Sequence, residues 1–568
     1  MLAISLLLCV LQYALFAGIT ENSISQEFNE PFALSISNKE ATTKITERIK
    51  RAVNYNEPKL QGLFLTSDPK VKKDSRCEGV CLNEIVLPGN ETEFWKCVFL
   101  KFYDEPLTKE TVIKIKQSVI AYYRDHNRPI VTVDIPEQDI TEGVLKLVII
   151  EGRLNQVIVK GNKWFPTKIF KKQIRLKKNE VINSCTLLQD IAWINRNPFH
   201  QADVLFTPGP EEGTTDVELL VQDRFPLRVY AGGDNTGNRG TGEARWFAGF
   251  NWGNAFNCDQ LLSYQYTMGP NLHRFQSHTI DYLAPLPWRH VLELYGGYSR
   301  VHPDVSHFHS HGNSAQGSLR YHIPLGLLYK NYLNEIVIGA DLKNMNNNLE
   351  FRDDTETPIF NTVVNITQAV LGYDFGYKSK RQTISFNVQF YWSPGNIISH
   401  QSEHDYHKMR PHAVNHYFYG TLAFGDDVTV GQGYVLSFLT RFQGATNTLL
   451  PSEQFALGGY DTVRGYDERE VNVDNGFCGN FEARTKPFEV VGRDALVLLA
   501  FFDCGLGSNI HPLKHEHRWQ YLTSVGPGLR YHWDRYVSLR LDLGYRMHKV
   551  QFGQGHGLKG HVGLIVSY

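Results

Sequence analysis

The chain of 568 residues is longer than one ordinary domain needs. Its 58 Lys and Arg against 59 Asp and Glu argue against nucleic acid as the main partner, because proteins that bind it usually carry a basic surplus. Tyr (28), Phe (33) and Gly (47) are plentiful and mean hydropathy is mildly negative, which excludes a helical membrane protein but suits a barrel, whose strands need only every second residue to be apolar.

Met1–Thr20 reads as a signal peptide: Leu2–Leu15 is largely apolar and Ala17–Gly18 offers small residues for cleavage, although no Lys or Arg precedes the run. The alternative is a membrane anchor, but a span needs about 20 apolar residues, and no other run in the chain reaches that length. Glu21–Glu57 is polar. Within it, Ser37–Val53 reads as a helix, with capping-box spacing between Ser37 and Glu40 and with Arg48, Lys50 and Arg51 complementing the dipole at its end. Ile45, Ile49 and Val53 give it only a narrow apolar stripe, so it is either a solvated leader or a polar plug in a wet pore. Asn56–Ser75 reads as a linker.

Cys9 would leave with the signal peptide. Cys77, Cys81 and Cys97 cluster where the first folded domain begins. In an oxidising compartment a disulfide among them is expected over zinc ligation, for which no matching His spacing is present; the pairing stays open. Glu84–Leu87 is the first expected strand, followed by a short helix around Phe94–Tyr103. Thr111–Asn127 is a strong amphipathic helix, with Val112, Ile115, Val119 and Tyr122 at helical spacing. Pro129–Pro136 and Gly143–Glu151 are strands, giving the order β-α-α-β-β.

The order then recurs. Leu154–Val159 is a strand, Pro166–Leu176 a helix with Pro at its first turn, and Ser184–Asn195 a second helix. Ala202–Phe206 and Thr215–Val221 are strands joined by the turn-rich Pro208-Gly209-Pro210-Glu211-Glu212-Gly213. Gly152 and Gly161 punctuate the repeat. Small open sheets of this kind suit β-augmentation, in which an extended peptide adds a strand.

After Phe225 strand follows strand with period two. Ala244, Trp246, Ala248, Phe250 and Trp252 face one way and Glu243, Arg245, Gly249 and Asn251 the other; Val537, Leu539, Leu541, Leu543 and Tyr545 alternate with Ser538, Arg540, Asp542 and Gly544. The runs have the length of tilted membrane strands, and aromatics sit at several strand ends. A soluble β-sandwich would alternate too, but with shorter strands. In lipid every backbone N–H and C=O needs a partner, so the sheet must close. Val562, Leu564, Val566 and Tyr568 alternate to a C-terminal aromatic, which resembles the terminal signal of bacterial outer-membrane barrels. We expect sixteen antiparallel strands between Leu227 and Tyr568. Short turns near Gly253–Cys258, Pro285–Arg289 and Trp533–Arg535 then fall on the periplasmic side. Longer segments near Val301–Asn313, Asn344–Thr357, Ser393–Pro411, Gly444–Asn475 and Leu506–Arg518 fall outside.

Two motifs lie in this region. The longest loop holds Gly458-Gly459-Tyr460-Asp461-Thr462-Val463-Arg464-Gly465-Tyr466, and a later strand ends Phe501-Phe502-Asp503-Cys504-Gly505. With the paired α/β repeats and the terminal barrel, they resemble the transporters of two-partner secretion, the TpsB family (haemolysin activation/secretion, ShlB/FhaC/HecB type). The resemblance covers about Cys81 to Tyr568. It implies two POTRA domains, residues 77–153 and 154–224, before an outer-membrane barrel over 225–568. It further implies that an unfolded exoprotein is bound by the POTRA domains in the periplasm and conducted outward, with folding outside supplying the drive. The sixth outer loop would fold into the lumen, where Val463, Arg464, Gly465 and Tyr466 meet Phe501, Asp503 and Gly505, Arg464 pairing with Asp503. Implied partners are the secreted exoprotein, outer-membrane lipid, the barrel-assembly machinery and periplasmic chaperones, with no cofactor and no nucleic acid.

No nucleophile elbow, paired-carboxylate arrangement or phosphate loop is present, so no enzymatic activity is expected. His307, His309 and His311 alternate in an outer loop but read as polar loop residues rather than metal ligands, and the acceptor pattern Asn90-Glu91-Thr92 reads as chance. Two alternatives to secretion remain: insertion of other barrels into the membrane, disfavoured by only two repeats, and a passive pore or surface adhesin, which would need no periplasmic repeats.

Overall fold

The computed structural model describes residues 57–74, 76–305, 308–326, 332–351, 358–512, 514, 516–550 and 556–568. The expected signal peptide and the helix over Ser37–Val53 lie outside them. Two compact units divide between Arg224 and Phe225.

The first unit holds the two repeats. Repeat one is built from β1 (Gly62–Thr66), β2 (Gly79–Asn83), α1 (Glu91–Phe94, running into a π-turn over Trp95–Phe99), α2 (Lys109–Asp125), β3 (Val131–Asp134) and β4 (Val144–Glu151), with sheet order β2-β1-β4-β3. This corrects the reading of Asn56–Ser75 as a linker. β1 pairs in parallel with both β2 and β4, and Leu63 and Leu65 are fully buried. A strand covered on both faces is a continuous apolar run, Gly-Leu-Phe-Leu-Thr, without the alternation that marks a half-buried strand. The strand expected at Glu84–Leu87 is not one; Glu84 has φ +52°, which turns the chain out of the sheet. α2 forms as its spacing predicts: the Thr108 side chain accepts from Thr111 N–H at 3.1 Å, and Ile115, Val119, Tyr122 and Tyr123 are buried against Leu145, Leu147 and Ile149. Asn90 caps α1, accepting from Glu93 N–H at 2.7 Å. Cys77 pairs with Cys81, leaving Cys97 a free thiol. Leu65→Ala is expected to cost about 2–5 kcal/mol through the cavity it leaves. Limited proteolysis of the full-length protein in detergent checks this: faster cleavage within 57–151 is the expected outcome, which a linker would not show.

Repeat two has β5 (Arg153–Lys160), α3 (Thr167–Gln173), α4 (Ser184–Ile194), β6 (His200–Pro208) and β7 (Thr214–Asp223), in sheet order β5-β7-β6. Asp223 ends β7 and accepts from the backbone N–H of Lys163, Trp164 and Phe165 at 2.7–2.9 Å, which sets the entry to α3. Gly161 supplies a φ of +90°. Gly152 instead supplies room: a Cβ there would stand 2.4 Å from Ile130 Cγ2.

The second unit is the closed barrel, sixteen antiparallel strands among the described residues. They are β8 (Leu227–Asp234), β9 (Arg245–Ala255), β10 (Gln260–Met268), β11 (Phe275–Pro285), β12 (Val291–Val301), β13 (Phe308–Pro324), β14 (Tyr332–Phe351), β15 (Pro358–Lys378), β16 (Gln382–Ser393), β17 (Tyr417–Val430), β18 (Tyr434–Ala445), β19 (Asn475–Arg484), β20 (Asp494–Ser508), β21 (Trp519–Trp533), β22 (Val537–Arg546) and β23 (Gly557–Ser567). β23 pairs with β8, Val566 opposite Ala231, and Tyr568 N–H donates to Val229 C=O at 2.9 Å, so the C-terminal residues singled out in the sequence form the closing seam. The outward face carries Ile280, Leu294, Leu319, Ile338 and Leu371 at mid-height. Trp288, Tyr434 and Trp533 ring it at the short-turn end, and Trp246, Trp392 and Trp519 at the long-loop end. No helix among the described residues is long and apolar enough to cross a membrane.

Two expected outer loops need correction. Most of Val301–Asn313 and Asn344–Thr357 continues as strand, so that β14 runs 20 residues and β15 runs 21. The ladder persists through polar positions such as Asn346 and Asn347, beyond the apolar band, and apolar alternation cannot report it there.

Candidate functional site

Loop six, between β18 and β19, holds a small hairpin of Phe455–Leu457 with Val471–Val473. Between its arms lies the Val463–Tyr466 motif. Arg464 is 3% exposed and Asp503 of β20 is fully buried. The guanidinium grips Asp503 with both prongs, Nε to Oδ2 and Nη2 to Oδ1, each at 2.7 Å, and the Arg464 backbone N–H adds a third bond at 3.0 Å. A planar fork meeting a carboxylate in this way is both strong and directional. Nη1 donates to Glu482 of β19 at 2.6 Å and lies 3.6 Å from Asp542 of β22. The Phe501 ring lies under the guanidinium, 3.6 Å from Cζ to centroid.

The other motif residues shape the seat. Val463 packs over Gly505, where a Cβ would come within 3.0 Å of Val463 Cγ2 and 2.9 Å of Leu457 Cδ2. Gly465 has φ +89° and rests on Gly544 of β22; its N–H donates to His561 Nε2 at 2.8 Å. The Tyr466 hydroxyl donates to the carbonyls of His548, at 2.7 Å, and Thr523, at 3.1 Å. The structure therefore gathers Val463, Arg464, Gly465 and Tyr466 with Phe501, Asp503 and Gly505, while Phe502 between them lies on the outward face. Val566 and Tyr568 lie apart from them, at the seam.

Sequence reasoning missed most of the other anchors. Glu453, at the start of the loop, accepts from Lys343 Nζ at 2.9 and 3.0 Å and from Tyr419 OH and Gln368 Nε2. At the other end Asp474 accepts from Arg410 Nη1 at 2.5 Å, tying loop six to the outer loop that carries α5 (Glu403–Met409). Arg540 of β22 donates to Asp461 Oδ1 at 3.1 Å and stacks on Tyr460. One signal was present: Arg540 and Asp542 are charges on the polar side of a membrane strand. Their partners come from loop six, some 80 residues earlier in the chain. Of the alternating histidines, His307 lies outside the described residues, and His311 packs edge-on against His302 at 6.0 Å.

A closed barrel preceded by α/β repeats, with its lumen occupied by an ion-paired loop, defines an outer-membrane transporter with periplasmic POTRA domains. The chain belongs to the family described as haemolysin secretion/activation protein ShlB/FhaC/HecB, whose model matches residues 213–531, more than half its length. It is 22% identical over 442 residues to the heme/hemopexin transporter protein HuxB of Haemophilus influenzae strain 86-028NP, covering 73% of this chain and 74% of that one. It is 23% identical over 372 residues to the outer membrane transporter CdiB of Escherichia coli O6:K15:H31 strain 536, covering 60% and 58%. Among solved structures, CdiB from Escherichia coli superimposes with a TM-score of 0.73 at 16% identity, over 94% of this chain and 93% of the other. CdiB from Acinetobacter baumannii gives 0.63 at 15%, over 100% and 99%. As a TpsB-type transporter it works with a secreted exoprotein.

Proposed function

We propose that the POTRA domains capture one dedicated exoprotein in unfolded form in the periplasm and that the barrel conducts it to the cell surface as loop six yields its place in the lumen. The observation that carries this reading is the way loop six is held. Charge pairs at its base, tip and return, with one small apolar cluster around Leu457, Val463 and Tyr466, anchor it to the wall. When the loop lifts, both members of each pair are rehydrated together and recover the desolvation that burial cost them, whereas a continuous hydrophobic core would gain nothing from water. Capture is supported by edges: among the described residues β2 and β6 each end a sheet, and Leu205 of β6 is exposed on the sheet face that also carries the exposed Leu220. An extended peptide bonds to such an edge through its main chain and fills apolar pockets with alternate side chains. No covalent chemistry is involved in this reading. The barrel itself depends on the barrel-assembly machinery and periplasmic chaperones to reach the membrane.

Deleting residues 57–151 tests capture. The exoprotein should disappear from the culture medium while the barrel remains in the outer membrane; unaffected export would show that repeat one is not a receptor. Deleting the whole protein should remove one exoprotein and leave the other outer-membrane barrels at normal abundance, whereas their general loss would favour an insertion role.

A further inference from the structure

Five consecutive barrel strands each send one ionisable side chain to the inner face near the short-turn end: Asp281 from β11, Glu293 from β12, His322 from β13, Glu335 from β14 and Asp374 from β15. His322 is placed by register, standing opposite Val291 on one side and Val337 on the other, so that Glu293 and Glu335 lie on its diagonals. Its Nε2 is 2.9 Å from Glu293 Oε2 and its Nδ1 is 3.1 Å from Glu335 Oε1. Ligand atoms of His322, Glu335 and Asp374 all lie within 4.8 Å of one another.

We propose that His322, Glu335 and Asp374 bind a divalent transition cation of the zinc class in the barrel wall at its periplasmic mouth, with Glu293 as the positioning residue that orients the imidazole. Donors on a tetrahedral cation stand about 3.3 Å apart, given bonds of about 2.0 Å, so the three groups need only a small contraction. Imidazole with carboxylates suits such a cation better than calcium or magnesium, which favour oxygen alone. The Glu293 contact is the outer-shell arrangement seen where a ligating histidine donates its second N–H to a carboxylate, which selects the tautomer and raises the basicity of the ligating nitrogen. Asn387 Nδ2 donates to Asp374 Oδ1, steering that carboxylate in the same way.

A second observation points to the same ligand. Asp281 is about nine-tenths buried, its Oδ1 has no hydrogen-bond partner, and the charges acting on it are those of Glu293 and His322. Four carboxyl groups thus surround one imidazole, so acidic groups outnumber basic ones at this place. Arg320, the nearest cation along β13, is engaged by Asp341 at 2.7 Å. A dication held by His322, Glu335 and Asp374 supplies the missing positive charge and gives Asp281 a partner, directly or through a bound water. It also ties three consecutive strands of the mouth together.

The test uses the full-length protein in detergent, stripped with chelator and titrated with Co2+ and Zn2+. Wild type should take up about one equivalent of Co2+, with ligand-field bands but no thiolate charge transfer, and Zn2+ should displace it. H322Q and D374N should each weaken binding by about 100-fold or more, and E293Q by about 10–100-fold at unchanged stoichiometry. Zn2+ should raise the unfolding temperature of wild type but not of H322Q. Variants are scored only if they keep heat-modifiable migration on electrophoresis, with E335Q replacing any that does not. Absence of saturable binding would overturn the proposal, as would a site whose affinity is the same in H322Q and D374N or whose spectrum shows thiolate ligation.

Discussion

Arg464→Ala is expected to lower export of the partner protein by at least about tenfold while leaving the barrel folded in the membrane. The substitution removes the bidentate contact to Asp503 and the bond to Glu482, and it withdraws a guanidinium that stands 3.6 Å from Asp542. Three carboxylates that shared a guanidinium then face one another. Breaking a fully buried pair costs about 3–5 kcal/mol. Arg530 and Arg540 still neutralise part of the charge on Asp542, so the lower end of that range applies. Since about 1.4 kcal/mol is a factor of ten, the docked loop should lose most of its population. The barrel ladder contains none of these bonds and should persist. Exoprotein in the medium and heat-modifiable migration of the transporter measure the two halves of the expectation; normal export with the loop undocked would sink it. Arg464→Lys should recover only part of the loss, because an ammonium cannot span both Asp503 oxygens and lacks the flat face that lies on Phe501.

Gly544→Ala should produce nearly the same defect from β22, two strands away from Asp503. A Cβ at Gly544 would lie 2.5 Å from Gly465 N and 2.6 Å from Gly465 Cα, both backbone atoms of the docked loop. Neither can swing aside as a flexible side chain would, and Gly465, at φ +89°, sits where other residues are strained. The loop must therefore lift, which lengthens the Arg464–Asp503 bonds as well. Gly560 on the neighbouring strand is the control: nothing lies within 4 Å of a Cβ there, and Gly560→Ala should export normally. Because R464A and G544A both act by undocking one loop, the double variant should be little worse than either single one. Fully additive losses in export would show that the two residues do different things.

The outer-membrane barrel was legible because lipid imposes a local rule. An outward residue must be apolar and its neighbour need not be, so period two is written along strands such as Thr383–Trp392 and Val537–Tyr545 without reference to anything distant. The pairing within loop six was legible through the resemblance of its motif and of Phe501–Gly505 to the TpsB family. Gly465 does mark a place where the loop backbone meets the wall, at Gly544, and Arg464 and Asp503 supply the opposite charges. Repeat one was less legible. β1 carries no alternation because both its faces are covered, and the polar ends of β14 and β15 carry none because no lipid touches them.

The amino-acid sequence by itself determined the class: two α/β repeats and a closed sheet, each following from short-range periodicity, turn residues and the requirement to pair every backbone group in a bilayer. Tertiary structure alone decided which charges meet. Glu482, Asp542 and Arg540 gather around loop six, and Glu293, Glu335 and Asp374 around His322, because closing the cylinder sets side by side segments whose residues lie from 13 to 79 positions apart. A repeating pattern tells which face a residue occupies; only strand register and loop path tell what stands beside it.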